Sequence, residues 1–136
     1  MRKITHLVVH CTATSQLATV ASILQYWKRE LGWKNPGYHI LIPPDGHSVR
    51  LLDDSLVSNG VAGHNSTSLH VSYIGGIDAH GRPMDTRTVA QKVELMRILV
   101  RWKQAHPNAI IQGHKDFPGV KKACPSFEAK AEYAHL

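Results

Sequence analysis

Residues 4–10 read Ile-Thr-His-Leu-Val-Val-His, a short apolar run that is rich in β-branched side chains. A run of this length predicts a strand whose two faces are both buried, as in the middle of a sheet. We therefore expect a central strand over residues 4–9, with His10 at or just beyond its carboxyl end. The rest of the chain should supply the strands beside it and the helices that cover it.

Two longer amphipathic helices are predicted from apolar residues that recur with helical spacing. The first is expected to have Ser15 as its N-cap and to stop at Gly32. The second should follow a capping box of Thr88 and Gln91 and end at the turn over residues 107–108. The expected core-facing positions are Leu17, Val20, Ala21, Leu24, Trp27 and Leu31 in the first helix, and Val89, Val93, Met96, Leu99 and Val100 in the second.

The other predicted elements are short. They are a hairpin over residues 38–42 and 48–52 around a Pro-Pro-Asp-Gly turn, strands over residues 71–77 and 109–112, and a terminal helix over residues 126–133 capped by Ser126. This order of strands and helices predicts a mixed sheet with helices on its faces. The expected fold class for residues 1–136 is therefore α/β, a single domain with a central mixed sheet and about three helices.

The composition is that of an ordinary globular protein, since 43% of the 136 residues are hydrophobic and 19% are charged. Apolar runs do not reach the roughly 18 to 20 residues that a membrane span needs, so no membrane span is expected. The basic start Met1-Arg2-Lys3 is not followed by a signal-peptide core or a cleavage site. This predicts synthesis in the cytoplasm without a signal peptide.

The chain is basic, with 16 Lys and Arg against 10 Asp and Glu and a formal net charge of +6. This balance suits an anionic partner, which from charge alone could be nucleic acid, a membrane surface or an acidic cell-wall polymer. The basic residues are scattered over several elements and match no helix-turn-helix, zinc-finger or RNA-binding signature. A nucleic-acid partner is therefore not expected.

Three side chains are candidates for a catalytic zinc site, which needs three protein ligands and one open position. His10 and His114 each come at the end of a predicted strand, and Cys124 follows in a loop long enough to return to the same edge. The spacing is also compatible with surface histidines and a packing cysteine.

Cys11 should point away from His10 and is assigned to packing. A Cys11–Cys124 disulfide is less favoured than free thiols or a metal ligand.

Tyr38, at the start of the hairpin, and Lys122, two residues before Cys124, are the candidate catalytic groups. A phenol or an ammonium near a metal could hydrogen-bond the oxyanion that forms when a carbonyl is attacked. A half-buried strand tyrosine and a solvated lysine are the alternative interpretations.

Six strings that occur in order along the chain carry a family resemblance. They are Leu7-Val8-Val9-His10-Cys11-Thr12; Gly37-Tyr38-His39-Ile40-Leu41-Ile42 followed by Asp45-Gly46; Gly63-His64-Asn65; Gly75-Gly76-Ile77-Asp78; Gly113-His114-Lys115-Asp116; and Lys122-Ala123-Cys124-Pro125-Ser126-Phe127. From about His6 to Tyr133 the sequence resembles the zinc-dependent N-acetylmuramoyl-L-alanine amidases of the type-2 class. That class includes phage lysozyme-like amidases and peptidoglycan recognition proteins.

The resemblance implies one zinc ion per chain, bound by His10, His114 and Cys124 in a cleft at the rim of the sheet. It also implies that Tyr38 and Lys122 assist hydrolysis of the amide between N-acetylmuramic acid and L-alanine in peptidoglycan or a muropeptide. A binding module without activity and a cytoplasmic muropeptide-recycling amidase remain as alternatives. Cys124 resembles the phage and recognition-protein branch, because the recycling enzymes have Asp there.

We expect the protein to be a monomer that acts on the cell wall after release, by phage lysis or by a secretion system. The positive charge is then interpreted as attraction to an anionic wall. A recycling enzyme would instead stay in the cytoplasm.

Two segments depart from the family pattern. Relatives often have Gly-Ala-His where this chain reads Asn59-Gly60-Val61, and commonly have Ser-Ile-Gly-Ile where it reads Ser68-Leu69-His70-Val71. Neither departure touches a metal-binding or catalytic position that the resemblance implies. Both affect the rim of the site, so a stem-peptide specificity is not carried over from the family.

Overall fold

In the computed structural model, which describes residues 2–136, a five-stranded sheet forms the centre of the molecule. The strands are β1 (His6–Cys11), β2 (Ile40–Ile42), β3 (Val49–Arg50), β4 (Ser68–Tyr73) and β5 (Ile110–Gly113). Their order across the sheet is β3-β2-β4-β1-β5. β1 runs parallel to β4 and β5, β2 runs parallel to β4, and β3 is antiparallel to β2. The predicted α/β class with a mixed sheet is confirmed.

The described residues form three α-helices: α1 (Val20–Gln25), α2 (Val89–Ala105) and α3 (Ala129–Glu132). α1 continues directly into a wider π-helical turn over Tyr26–Glu30. Short 3-10 turns follow at Asn65–Thr67 and His114–Asp116. Among residues 2–136, no helix has both the length and the apolar character that crossing a bilayer requires.

The central strand β1 separates two packed layers, because successive side chains of a strand point to opposite faces. Leu7 and Val9 lie in the large core cluster that α2 and α3 cover, whereas Val8 packs with Val61 and Phe117 on the other face. That second face is also covered by α1, whose buried residues pack on the sheet. Leu7, Val8 and Val9 are all fully buried, which confirms a strand covered on both faces.

The predicted strand boundaries were partly wrong. β1 begins and ends two residues later than expected, and β4 spans Ser68–Tyr73 rather than residues 71–77. The start of this strand was not recognised because Ser68, His70 and Ser72 are polar. All three are nevertheless buried in the middle of the sheet. The continuous pairing ends after Tyr73, and Gly75 and Gly76 beyond it adopt positive φ angles of 141° and 102°. The hairpin is confirmed, with shorter strands, and the last strand is shifted by one residue.

α1 begins later than predicted, with Thr19 rather than Ser15 as its N-cap. The Thr19 hydroxyl accepts a hydrogen bond from the Ser22 amide at 3.1 Å, and the Ser22 hydroxyl accepts one from the Thr19 amide at 3.1 Å. This reciprocal pair satisfies two amides that a helix start otherwise leaves free. Leu17 therefore precedes the helix and is 89% exposed rather than core-facing.

The capping box of Thr88 and Gln91 at the start of α2 is confirmed, but the predicted core-facing side was only partly right, since Leu99 is fully buried. Val89 and Val93 are 77% and 64% exposed, whereas Gln91 is fully buried. The Gln91 side-chain amide donates to the carbonyl oxygens of Ile42 and Ile74 at 2.9 and 3.1 Å. The buried face of α2 consists of Gln91, Leu95, Ile98, Leu99 and Trp102.

The carboxyl-terminal segment contains less helix than predicted. α3 covers only Ala129–Glu132, and Ser126 does not cap it. Ser126 has a φ of 68°, and its hydroxyl instead donates to the carbonyl oxygen of Gly76 at 2.8 Å. Arg87 helps to hold the segment to the domain, because its guanidinium donates to both carboxylate oxygens of Glu132 and lies 3.4 Å above the centre of the Phe127 ring.

Candidate metal centre

His10, His114 and Cys124 meet at the edge of the sheet where the parallel strands β1 and β5 end. His10 is the last residue but one of β1, and His114 directly follows β5. Because neighbouring parallel strands end at the same edge, their carboxyl ends bring distant residues together. Cys124 returns to this edge from the following loop, and one ligand atom from each of the three residues lies within 4.8 Å of the others.

The Cys124 loop is fixed to the sheet by hydrogen bonds on both sides of the cysteine. The Lys115 amide donates to the Cys124 carbonyl oxygen at 2.9 Å. The Cys11 amide donates to Cys124 Sγ at 3.2 Å. The Tyr73 hydroxyl donates to the Pro125 carbonyl oxygen at 2.7 Å. These bonds place the sulfur beside the two imidazoles before any metal binds.

The separation of the Cys124 sulfur and the nearer His10 nitrogen is close to the one expected for two ligand atoms of a zinc ion. Zinc binds sulfur at about 2.3 Å and imidazole nitrogen at about 2.0–2.1 Å, which separates two such ligand atoms by about 3.6 Å in a tetrahedron. Cys124 Sγ and His10 Nδ1 are 3.7 Å apart. His10, His114 and Cys124 would therefore hold a zinc ion at the base of the cleft.

The protonation states of the two histidines also suit a metal. Burial lowers the pKa of His10 well below its usual value, and the neighbouring His70 and His114 lower it further. Burial and the charge of Lys122 lower the pKa of His114 to about 4. Both imidazoles are therefore neutral at pH 7 and have a lone pair available for a cation.

The cysteine behaves differently, because a hydrogen bond with Cys11 and burial raise the pKa of the Cys124 thiol. Its proton is therefore retained at pH 7 in the absence of a cation. A bound zinc ion displaces such a proton, since a coordinating thiol is deprotonated. Cys11 is itself buried and free of any disulfide.

A cleft of about 750 Å³ opens above the three residues. Its volume is within the range of about 300–1,000 Å³ that small-molecule sites occupy. One wall is apolar and aromatic and consists of Tyr26, Trp27, Leu31 and Trp33. Tyr26 and Leu31 are 54% and 42% exposed, so these two side chains line the cleft and do not belong to the core. The sequence of the predicted first helix has more apolar residues than are needed to cover the core. That surplus could have indicated that some of them line an apolar wall of the cleft.

Both predicted catalytic residues lie on this cleft. The Tyr38 ring is centred 4.9 Å from that of His10, and its hydroxyl donates to the Cys11 carbonyl oxygen at 3.2 Å. Burial raises the pKa of Tyr38, which keeps the hydroxyl protonated as a hydrogen-bond donor. Lys122 is exposed at the cleft and faces the ligands closely enough to lower the pKa of His114.

Tyr38 and His39 immediately precede β2, and the side chain of His39 points away from the cleft that Tyr38 faces. It is fully buried and packs edge-on against Trp102 of α2. Its Nδ1 accepts a hydrogen bond from the His70 amide at 3.1 Å. These contacts place His39 in the support of the sheet rather than on the cleft.

His70 is a residue of this site that the sequence analysis missed. His10 Nε2 and His70 Nδ1 are hydrogen-bonded at 2.8 Å inside the domain. The only signal in the sequence was a histidine at a position where relatives commonly have glycine, in the segment Ser68-Leu69-His70-Val71.

An α/β domain with two histidines and a cysteine converging below an open cleft is typical of metal-dependent hydrolases. Residues 1–127 match the family described as N-acetylmuramoyl-L-alanine amidase. The chain belongs to the N-acetylmuramoyl-L-alanine amidase family. The resemblance seen in the sequence motifs is confirmed, and the activity is that of an amidase acting on peptidoglycan.

Individual relatives agree with this assignment, and solved structures share the fold. The chain is 39% identical to an endolysin of Klebsiella phage KP32 over 125 residues, which covers 91% of this chain and 82% of that protein. The structure of the Ph2119 endolysin from a Thermus scotoductus MAT2119 bacteriophage has a TM-score of 0.82 at 22% identity and covers 99% of this chain and 85% of that one. Apis mellifera PGRP-SA has a TM-score of 0.79 at 16% identity and covers 100% and 84%. The two structures share the fold.

Proposed function

We propose that this chain hydrolyses the amide between N-acetylmuramic acid and L-alanine with one zinc ion held by His10, His114 and Cys124. The observation that carries the proposal is the convergence of three ligand atoms within 4.8 Å below an open cleft. Two neutral imidazoles and one thiolate would give the centre a net charge of +1. This donor set leaves one position for water, as catalytic zinc sites require.

The metal and the protein side chains have different tasks in the proposed reaction. When bound, zinc supplies Lewis acidity to the scissile carbonyl and to the attacking water. His10 is the most buried ligand, and its ring is packed against Tyr38 and His114, so its orientation is fixed. Cys124 is held by the backbone amide of Cys11. The protein therefore holds the ligands in place before substrate arrives.

Tyr38 and Lys122 are placed to stabilise the oxyanion that forms on the substrate carbonyl. The Tyr38 hydroxyl is a neutral donor whose present partner, the Cys11 carbonyl oxygen, is 3.2 Å away. A small rotation of the hydroxyl would redirect its proton to an oxygen in the cleft. The Lys122 ammonium supplies a positive charge from the exposed side. Preorganised donors of this kind each contribute about 100- to 1000-fold to the rate.

We also propose that the protein lyses cell walls in the manner of its phage relatives. Endolysins of phages KP32 and T7 are 39% and 36% identical to it. The formal net charge of +6 favours association with an anionic wall polymer. Release from the cytoplasm by phage lysis or secretion, and action as a monomer, belong to this proposal.

The zinc centre is tested by replacing Cys124 with serine and, as a matched control, Cys11 with serine. Purified wild-type protein and the Cys11→Ser variant are each expected to contain about one zinc per chain. Cys124→Ser is expected to lose both the zinc and the hydrolysis of purified peptidoglycan, because a hydroxyl is a poor zinc ligand. Full activity of Cys124→Ser without bound metal would disprove the proposed centre.

The products identify the bond that is cut. An amidase releases new L-alanine amino termini without new reducing sugar ends. The opposite pattern would show a glycosidase. Binding of peptidoglycan by zinc-loaded protein with neither product would support the non-catalytic binding module instead.

A further inference from the structure

The side chains of His10 and His70 form a buried pair behind the metal ligands. Their Nε2 and Nδ1 atoms are 2.8 Å apart, and both residues are at most 1% exposed. The other ring nitrogen of His10, Nδ1, faces Cys124 Sγ at 3.7 Å. His70 therefore contacts the ligand from the side away from the metal position.

The surroundings of His70 make room for this contact and fix the ring. Gly60 lies directly against it, and a Cβ atom at position 60 would overlap the His70 ring at Nδ1. On the other side the His39 ring stacks parallel to it, with an interplanar angle of 1° and 6.0 Å between centroids. The two segments that depart from the family pattern, residues 59–61 and 68–71, are therefore in contact and form one feature.

The proton positions follow from the geometry. A metal on His10 Nδ1 requires the proton of the neutral ring to be on Nε2. That N–H then donates to His70 Nδ1, and the proton of the neutral His70 ring is on its Nε2. Within residues 2–136 this Nε2 atom is buried without a hydrogen-bond partner. Burying an unpaired donor destabilises a fold, so packing alone does not account for a histidine here.

We propose that His70 is a positioning residue of the metal centre, which holds the His10 ring and its tautomer so that Nδ1 is presented to zinc. The inference rests on the proposed zinc site. Hydrogen bonds from a ligand histidine to an outer partner orient the ring and raise its basicity, and their loss weakens metal binding by about 10- to 100-fold. In this protein the outer partner of His10 is His70 of β4. Its ring fits because residue 60 is a glycine without a Cβ atom.

Two variants of similar shape test this proposal. His70→Asn keeps an acceptor oxygen near the position of Nδ1, whereas His70→Leu has the same branching without an acceptor. Zinc affinity measured by chelator competition is expected to fall about 10- to 100-fold for the leucine variant. The asparagine variant is expected to recover most of that loss. The spectrum of the cobalt-loaded protein should change for leucine and stay close to wild type for asparagine.

Urea unfolding of the metal-free proteins separates positioning from structural support. The metal-free His70→Leu variant should have a stability close to that of wild type, because it removes the unpaired Nε2 donor of His70 but leaves His10 Nε2 without its partner. Equal zinc affinity of all three proteins would overturn the proposal. A parallel loss of metal-free stability and zinc affinity in both variants would overturn it too, since His70 would then act as packing.

A measurement on the wild-type protein needs no variant. In zinc-loaded protein, nitrogen NMR is expected to show a proton on His10 Nε2 and none on His70 Nδ1. A proton on His70 Nδ1 would overturn the proposal even if the variants fail to fold. Wild-type protein that binds no zinc would refute the proposed function itself, whereas unchanged variants of a zinc protein would refute only the role of His70.

Discussion

Tyr38 contacts the site through two separable parts, its ring and its hydroxyl. The ring packs against His10 and Trp27, with centroid distances of 4.9 and 5.1 Å. We expect Tyr38→Phe to retain these contacts and the zinc while losing the donor, so kcat should fall about 100- to 1000-fold. Steady-state kinetics with zinc analysis check this. Loss of zinc together with activity would instead show that the hydroxyl, through its hydrogen bond to the Cys11 carbonyl oxygen, is needed to hold the metal site.

Single residues of the site differed in how far the sequence could predict them. His10 and His114 follow from strand ends, since parallel strands bring their carboxyl ends together. Cys124 and Lys122 were predicted as site residues mainly from the Lys-Ala-Cys-Pro-Ser-Phe string, and the cleft places both near the histidines. His70 could not be predicted, because its partner is 60 positions away and its environment depends on a glycine in another loop.

Helix α2 offers a test of which of its sides faces the sheet. Leu95 is fully buried, whereas Val93 is 64% exposed. We expect Leu95→Ala to reduce the free energy of unfolding by about 2–5 kcal/mol through lost burial and a new cavity. Val93→Ala should change it by less than about 0.5 kcal/mol, as surface substitutions do. Urea unfolding of the two variants decides this. Equal losses of unfolding free energy in the two variants would show that Val93 also faces the core, as predicted from the sequence.

At the level of elements, the existence and order of helices and strands were more predictable than their faces and ends. The capping box of α2 is a local signal and was found. Its buried face was predicted only in part. Gln91 is polar, and its burial depends on hydrogen bonds to two carbonyl oxygens, of Ile42 at the end of β2 and of Ile74 just after β4. The start of α1 was misplaced for a similar reason, since both Ser15 and Thr19 are suitable caps and only Thr19 has Ser22 three residues later.

At the scale of the whole molecule, Arg87 joins the entry of α2 to α3, and its side chain is 2% exposed. The hydrogen bond from Arg87 lowers the pKa of Glu132 below its usual value near 4.5. We expect Glu132→Gln to reduce stability by about 1 kcal/mol at pH 7, because Asp85 remains as a partner and Glu132 is partly exposed. A group with a lowered folded pKa stabilises the protein above its usual pKa and loses that effect in acid.

The difference between Glu132→Gln and wild type should therefore disappear as the pH falls from about 4.5 through the lowered pKa of Glu132. Unfolding in urea at a series of pH values measures this. Glu128→Gln is the control, because Glu128 forms an ion pair with Lys115 at the surface and is 71% exposed. It should have little effect at any pH. A difference for Glu132→Gln that persists at pH 2 would contradict the role given to its charge.

The proposed metal ligands lie far apart along the chain, so they are synthesised at different times. His10 and Cys124 are 114 positions apart. Synthesis proceeds from the amino end, so His10 is made early and Cys124 late. With Cys124 as the third ligand, a polypeptide that has not yet been translated as far as Cys124 has at most two of the three ligands. Copies that terminate before Cys124 would therefore lack a complete zinc site, and we expect them to be inactive.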